Sequence, residues 1–545
     1  MSDRMGNFTG TGALLRLALR RDRIQIPVWL FAQAAVLGGS GSSIVGLYDT
    51  PEERVSYATT SASSVVTVAF NGPTSGPALG AIITNETLLV SVVMIALMTT
   101  FMVVRHTRQN EETGRAEMVG AGAVGRYAMV AAALCLAVLA DVAFSALSFL
   151  VLLSFGLSAS GALLYGVALA LTGITFAGVA AVTAQIAESS RAANGIAAAF
   201  VGLSFLLRAV GDATGEVVRN GQYVESAWPS YLSPMGWAQQ VRPFSENRTA
   251  FLVPLVLLFG VLLYVTTILA AHRDVGTGML PVRPGPARAP RSLGSPFGLV
   301  WRLQRGSLLG WAIGLLILGV SFGAVADEVD DLISGNEDLA EVIEQLGGTG
   351  NLVEGYLSAI IGIGVLVACG YVIQALLRMR TEEAGGTLEP VLATAVSRTR
   401  WLGAHVVCTS LGLVALALLF GGSLGFAYGV ASGDVGGETV TAIGAALVRV
   451  PAALVIGAIV VAVFGIAPRL AVPVSWGVLA AAFLVMQLGA VLDLPQVVLD
   501  LSPFTHVPNA PAASVEALPL VVLGVVAVGL CGAGLAVFRR RDLAM

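Results

Sequence analysis

The residues best placed to do chemistry in this chain are carboxylates, and they come in two matched groups. Between Arg105 and Arg126 the sequence reads RHTRQNEETGRAEMVGAGAVGR, and between Arg378 and Arg398 it reads RMRTEEAGGTLEPVLATAVSR; long apolar runs flank both. Glu111, Glu112, Glu117 and Arg126 align with Glu382, Glu383, Glu389 and Arg398 if the second copy carries one extra residue between the paired Glu and the third. Arg108 and Glu112 stand four apart, the spacing of a helical ion pair, and Gly120 and Gly122 close the segment, so a short polar helix bounded by turns is expected. Such a helix is either a solvated loop or a docking element whose carboxylates meet a basic groove on a partner. Repetition favours docking, although duplication alone can carry a passive feature along. A separate candidate is Asp141, inside an apolar run between Leu139 and Val142. Acids within a membrane are costly and are functional candidates by default. Asp141 could bind a cationic substrate, relay a proton, or pair with Arg208 or Arg449.

Several other chemistries are excluded. The 30 basic residues are all Arg, so the Lys of a phosphate-binding P-loop is missing and the chain holds no Walker ATPase site. His106, His272, His405 and His506 are too scattered for a metal site, and no H-E-x-x-H occurs. Cys135, Cys369, Cys408 and Cys531 sit in apolar runs without a C-x-x-C spacing and read as small core or lipid-facing residues. A net charge of -4 argues against a nucleic-acid partner.

The elements that position these groups are membrane helices. At 545 residues, 56% hydrophobic and 12% charged, with a mean hydropathy of +0.83, the chain cannot cover a soluble globule with charge and belongs in a bilayer. Residues 10 to 25 interleave Leu14, Leu15, Leu17 and Leu19 with Arg16, Arg20, Arg21 and Arg23, a basic amphipathic segment suited to the headgroup layer. Spans are expected near 28–48, 86–104, 128–154, 160–184, 194–211 and 250–270, each long enough for a hydrocarbon core of about 30 Å. Residues 275–300, dense in Pro, Gly and Arg, read as a linker. Beyond it the plan repeats, with spans near 308–326, 356–377, 402–428, 441–466, 470–491 and 517–538.

Local echoes support duplication. RRDRIQIPVWLFAQAAVL (Arg20 to Leu37) matches RLQRGSLLGWAIGLLILG (Arg302 to Gly319), placing Arg23 over Arg305 and Trp29 over Trp311. The match also argues against a cleaved signal peptide at the start, despite Ala32-Gln33-Ala34. Leu232-Ser233-Pro234 recurs as Leu501-Ser502-Pro503, and His272-Arg273-Asp274 as Arg540-Arg541-Asp542. Ser before Pro is a favourable helix start, the hydroxyl capping and the ring fitting the first turn. The expected fold is an all-α membrane protein of twelve transmembrane helices in two tandem parallel six-helix repeats, 1–274 and 301–545, joined by 275–300. An even number of spans per half keeps both halves in one orientation, unlike inverted transporter repeats. With the N-terminus inside, 24 of the 30 Arg fall on the cytoplasmic side, so both termini and both islands are expected there. The stretch from Asp327 to Glu354, with nine acids and no Arg, is expected outside.

The basic entry segment, the E-E-x-G island with its third Glu and closing Arg, the L-S-P before each sixth span and the R-P-G-P linker together resemble permeases of ATP-binding-cassette exporters. The nearest group is the fused twelve-span permeases described as polyketide-antibiotic or multidrug exporters. That resemblance implies a connecting helix at the entry segment and a coupling helix in each island. Glu111, Glu112, Glu117, Arg126, Glu382, Glu383, Glu389 and Arg398 would then face a cytosolic ATPase subunit, with two copies expected. It also implies a segment before each sixth span that dips into the membrane from outside, with Trp228, Tyr231 and Trp237 as interface anchors. No cofactor is expected in this chain; ATP and Mg would be bound by the partner. The substrate would be an amphipathic small molecule, such as an antibiotic, drug or lipid, moved out through the plasma (inner) membrane along a pathway between the halves. The rival reading is a proton-coupled secondary transporter with Asp141 as carrier.

Overall fold

In the computed structural model, the residues described are 6–274, 276, 278–279, 287–326, 352–488 and 495–542. Nearly all of the acidic stretch expected outside, and much of the linker, lie beyond them. The chain divides into two compact units, Met1–Gly285 and Pro286–Met545.

In the first unit a basic helix α1 (Thr11–Arg21) precedes α2 (Gln25–Leu47). Two short helices, α3 (Pro51–Ser63) and α4 (Val65–Asn71), lead to α5 (Leu79–His106). A full capping box starts α3: the Thr50 hydroxyl accepts from the Glu53 amide at 3.3 Å while Glu53 accepts from the Thr50 amide at 2.9 Å. The first island holds α6 (Arg108–Glu112) and α7 (Arg115–Gly120), followed by α8 (Ala128–Ser154), α9 (Ala159–Ile186) and α10 (Ser190–Ala213). A small hairpin of β1 (Glu216–Val218) and β2 (Tyr223–Glu225), paired antiparallel, and the short α11 (Pro234–Gln240) then lead to α12 (Leu252–Ala271). As its Ser-Pro start predicts, α11 is capped by Ser233, which accepts from the Met235 and Gly236 amides at 3.2 and 3.3 Å. The same hydroxyl donates to the Ser204 carbonyl at 2.6 Å, anchoring the largely buried α11 on α10. Trp228, expected as an anchor, is 71% exposed.

The second unit comprises α13 (Pro296–Val325), α14 (Leu352–Ala384), α15 (Leu388–Leu392) in the second island, α16 (Arg398–Ser432), α17 (Val435–Val448), α18 (Val450–Ile466), α19 (Ala471–Leu488), α20 (Gln496–Leu499) and α21 (Ala517–Arg540). Among the described residues eleven helices are long and apolar enough to cross a membrane, with α17 and α18 counted as one. Their junction at Arg449 and Pro451 follows from the missing amide of proline. The span expected at 470–491 corresponds to α19, which falls among the shorter apolar helices.

Burial ranks the helices. Of their apolar windows, α5, α9 and α14 each bury 72%, whereas α12 buries 11% and α21 17%. The helices α5 and α9 in the first unit and α14 in the second therefore form the centres, while α12 and α21 lie outermost. Lipid tails are as apolar as leucine, so close packing and interhelical hydrogen bonds must hold such bundles together. Packing is evident between α13 and α16, where a Cβ on Gly319 would meet Ser423 Oγ at 2.1 Å and one on Gly323 would meet the Leu424 carbonyl oxygen at 2.2 Å. The stretches Gly319–Gly323 and Gly421–Gly425 both read G-x-S-x-G. Here they are helix-packing seams, with Ser321 and Ser423 donating to carbonyls of their own helices, and no nucleophile elbow is formed. Hydrogen bonding joins four helices of the first unit. Gln33 of α2 donates to Ser91 of α5 at 2.8 Å and to Ser148 of α8 at 3.1 Å, and Ser91 and Thr87 meet the Tyr165 hydroxyl of α9 at 3.0 and 3.1 Å.

Candidate coupling site

Each island is bound into its own unit, and the bonds sort the eight candidate residues into two kinds. In the first island Arg108 is buried and donates to the Glu188 carbonyl through Nε at 2.8 Å, to the Gly276 carbonyl at 3.2 Å, and to Glu111 at 2.7 Å. Glu111 also pairs with Arg273, just beyond the end of α12, so it is a latch between island and sixth helix. Glu112 accepts from the backbone amide of Ser190 at 3.0 Å and from its hydroxyl, placing a carboxylate at the positive end of α10. Arg126 donates to the carbonyls of Ala270, Ala271 and Arg273 at 3.1, 2.8 and 3.3 Å. It thereby satisfies acceptors that the end of a helix leaves open.

The second island repeats this wiring. Arg398 donates to the carbonyls of Phe538 and Arg539 at 3.0 and 3.4 Å and to that of Arg541, at the end of α21. Arg541 forms a two-pronged pair with Glu383, at 2.9 and 3.0 Å. Glu382 accepts from Arg378 and from the buried Trp401 indole, each at 3.2 Å, and lies 3.6 Å from His405. The equivalent latches are thus Glu111 and Glu383. This corrects the register drawn from sequence, which paired Glu111 with Glu382 and required a gap. Gly114 and Gly386 confirm the correction: each lies three residues after its latch, with φ 71° and 69°, the left-handed turn that glycine adopts without strain. The gap disappears.

Two of the eight are exposed, with side chains bonded to nothing else in their island among the described residues. Glu117 on α7 and Glu389 on α15 have neither an ion pair nor a side-chain hydrogen bond among the described residues. Each follows a buried anchor, Ala116 or Leu388, and Met118 beside Glu117 is 72% exposed. The arrangement presents one carboxylate from each unit on an island bonded into that unit, with exposed apolar surface at Met118 beside the first.

Asp141 is fully buried in α8 against α9, so close that a Cβ on Gly173 would lie 2.7 Å from its Cγ. The two arginines weighed as its partners are each engaged within their own unit. Arg208 lies 3.4 Å from Asp212 and donates to the Val68 and Phe70 carbonyls, while Arg449 donates to the Ala445, Ala510 and Ser358 carbonyls and the Ser358 hydroxyl. Both carboxylate oxygens of Asp141 lack a hydrogen-bond partner among the described residues. Among those residues no group of His, Cys, Asp or Glu is placed to hold a metal ion.

A lock at Asp22 was not foreseen. Asp22 is buried after α1, 2.9 Å from Arg105, and accepts from His106 at 2.7 Å. At its other end α1 is held by the amides of Gly125 and Tyr127, which donate to the Thr9 and Asn7 carbonyls at 2.9 and 3.0 Å. The signal was present as the lone acid among Arg20, Arg21 and Arg23. Burial pushes the Asp22 carboxyl up, but the contacts from His106 and Arg105 outweigh it and hold the group below its ordinary value. A depressed folded value means this stability is present above the ordinary Asp value of about 3.9 and is lost as pH falls through the lower folded value. Asp22→Asn is expected to speed amide exchange across α1 by about tenfold at neutral pH. Exchange unchanged from the wild type would show that the lock does not hold α1.

Two units of membrane-length helices, each presenting an exposed carboxylate on a latched island, define a multi-pass membrane protein. Residues 293–539 match the family described as Multidrug efflux system permease Rv1217c, C-terminal domain. Over 542 residues, 99% of this chain and 96% of the relative, the sequence is 38% identical to the Multidrug efflux system permease protein Rv1217c of Mycobacterium tuberculosis (strain ATCC 25618 / H37Rv). The chain belongs to this family of multidrug efflux system permeases.

Proposed function

We propose that this chain is the membrane subunit of an ATP-binding-cassette exporter, moving amphipathic small molecules such as antibiotics, drugs or lipids out of the cell. The observation that carries the reading is the matched pair of exposed carboxylates, Glu117 and Glu389, on islands otherwise bonded into their own units. Two equivalent contacts call for two copies of a cytosolic ATPase, which would hold the ATP and Mg that a chain without Lys cannot hold in a P-loop. The Arg distribution supports a plasma-membrane setting with islands and both termini on the cytoplasmic side. ATP-driven closure of the ATPase pair would push on the islands, and alternating access would follow.

The test is reconstitution. In liposomes the purified chain is expected to move no drug alone and to move it when its ATPase and ATP are supplied, with or without a proton gradient. Transport by the chain alone that stops when the gradient is collapsed would replace this reading with the proton-coupled one. The closed surroundings of Asp141 give that rival no support.

A further inference from the structure

The two units differ where the chain enters the membrane. In the second unit the entry segment and first span form one unbroken helix, α13, with Arg302 and Arg305 exposed along it. In the first unit the helix breaks after Arg21, held by the Asp22 lock, and α2 begins at Gln25. The residue matching Asp22 in the second unit is Gln304, which donates to Thr409 at 3.3 Å and leaves the helix straight. The break lays α1 along α8 beside α7.

A cavity of about 490 Å³ opens between α1, α7 and α8, with His106 of α5 and Asn110 of α6 also lining it. Its walls are apolar, from Leu14 and Leu17 of α1 to Met129 of α8, and its polar rim carries the guanidinium groups of Arg20, Arg21 and Arg115. No acidic residue lines it, and the nearby Asp22 is already occupied by Arg105 and His106. Arg21 is oriented by a 2.9 Å bond to Asn110, while Arg20 and Arg115 have no carboxylate partner among the described residues. Burial, followed by the neighbouring cations Arg105 and Arg115, pulls the Arg21 guanidinium below its ordinary value against the opposing charge of Asp22. Planar guanidinium groups match phosphate oxygens, and basic pockets at membrane helices are suited to anionic headgroups. A free phosphate would make no use of the apolar walls.

We propose that this cavity holds one anionic phospholipid of the surrounding leaflet, its phosphate between Arg20, Arg21 and Arg115 and an acyl chain against the apolar face between α1 and α8. The lipid would bridge the entry helix and the island that carries Glu117, in the first unit only.

Native mass spectrometry of the full chain, with phosphatidylglycerol or phosphatidylcholine added to detergent, tests this. The wild type is expected to retain phosphatidylglycerol preferentially, and R20Q/R115Q to hold it about thirtyfold more weakly. R302Q/R305Q, which removes the same charge from the straight helix, is expected to match the wild type. Ala132→Trp, which fills the cavity and keeps every arginine, is expected to lose the lipid, so a folding failure of the double variant does not decide the matter. Absence of a phosphatidylglycerol preference, equal loss in R302Q/R305Q, or full retention in Ala132→Trp would overturn the proposal. Release of the lipid by inorganic phosphate alone would overturn it too, assigning the site to a free anion.

Discussion

The double charge reversal E117R/E389R is expected to abolish ATPase association and drug efflux while leaving the protein folded in the membrane. Both side chains are exposed and unpaired, so their replacement falls among surface changes worth no more than about 0.5 kcal/mol of stability. On a docked surface the same change sets like charges against each other, which costs several kcal/mol and weakens association by about a hundredfold or more. Co-purification with a tagged ATPase, beside a melting curve of the variant, separates the two effects. Each single reversal is expected to weaken association less, because the other island still docks. Normal co-purification and efflux in the double variant would rule these carboxylates out as the contact.

Removal of a latch carboxylate is expected to act in the opposite way. Glu111→Leu leaves Arg108, buried, and Arg273, nearly so, without their shared carboxylate, and Glu383→Leu does the same to Arg541. Loss of one partner of a buried pair costs about 3–5 kcal/mol, and the lower end applies to Arg108, which keeps its bonds to the Glu188 and Gly276 carbonyls. These variants should therefore show large falls in melting temperature and in membrane yield, with association lost only in proportion to the folded fraction. Thermal-shift measurement in detergent reads this directly. A Glu111→Leu protein as stable as the wild type but unable to bind the ATPase would exchange the roles assigned to Glu111 and Glu117.

Much of the fold was legible because membrane helices announce themselves by length and apolarity, and because a duplicated chain repeats its own punctuation. The Ser-Pro helix start is a local signal and was readable from a few residues around Ser233. What the sequence concealed depends on distance along the chain. Arg273 and Arg541 were visible as an echo ending each half, yet nothing local says that they reach back 162 and 158 residues to Glu111 and Glu383. The register error has the same root. Two adjacent Glu in each island invite pairwise matching, whereas the backbone is aligned by the left-handed glycines, and conformation cannot be counted from side-chain types. Asp141 stands out as unusual from its neighbours in sequence, but sequence does not show that Asp212, one helical turn away, takes up Arg208.

The bonds around Arg126 bear on how a push would be distributed. In the first unit the island is tied to α12 through Arg126 and Arg273, to α10 through Glu112, and to α1 through Asn110 and the backbone at Gly125. It behaves less like a lever on a single rod than like an end plate into which several rods are set. A thrust delivered at Glu117 would be divided among those helices at once, favouring displacement of the bundle as a body over the bending of any one span.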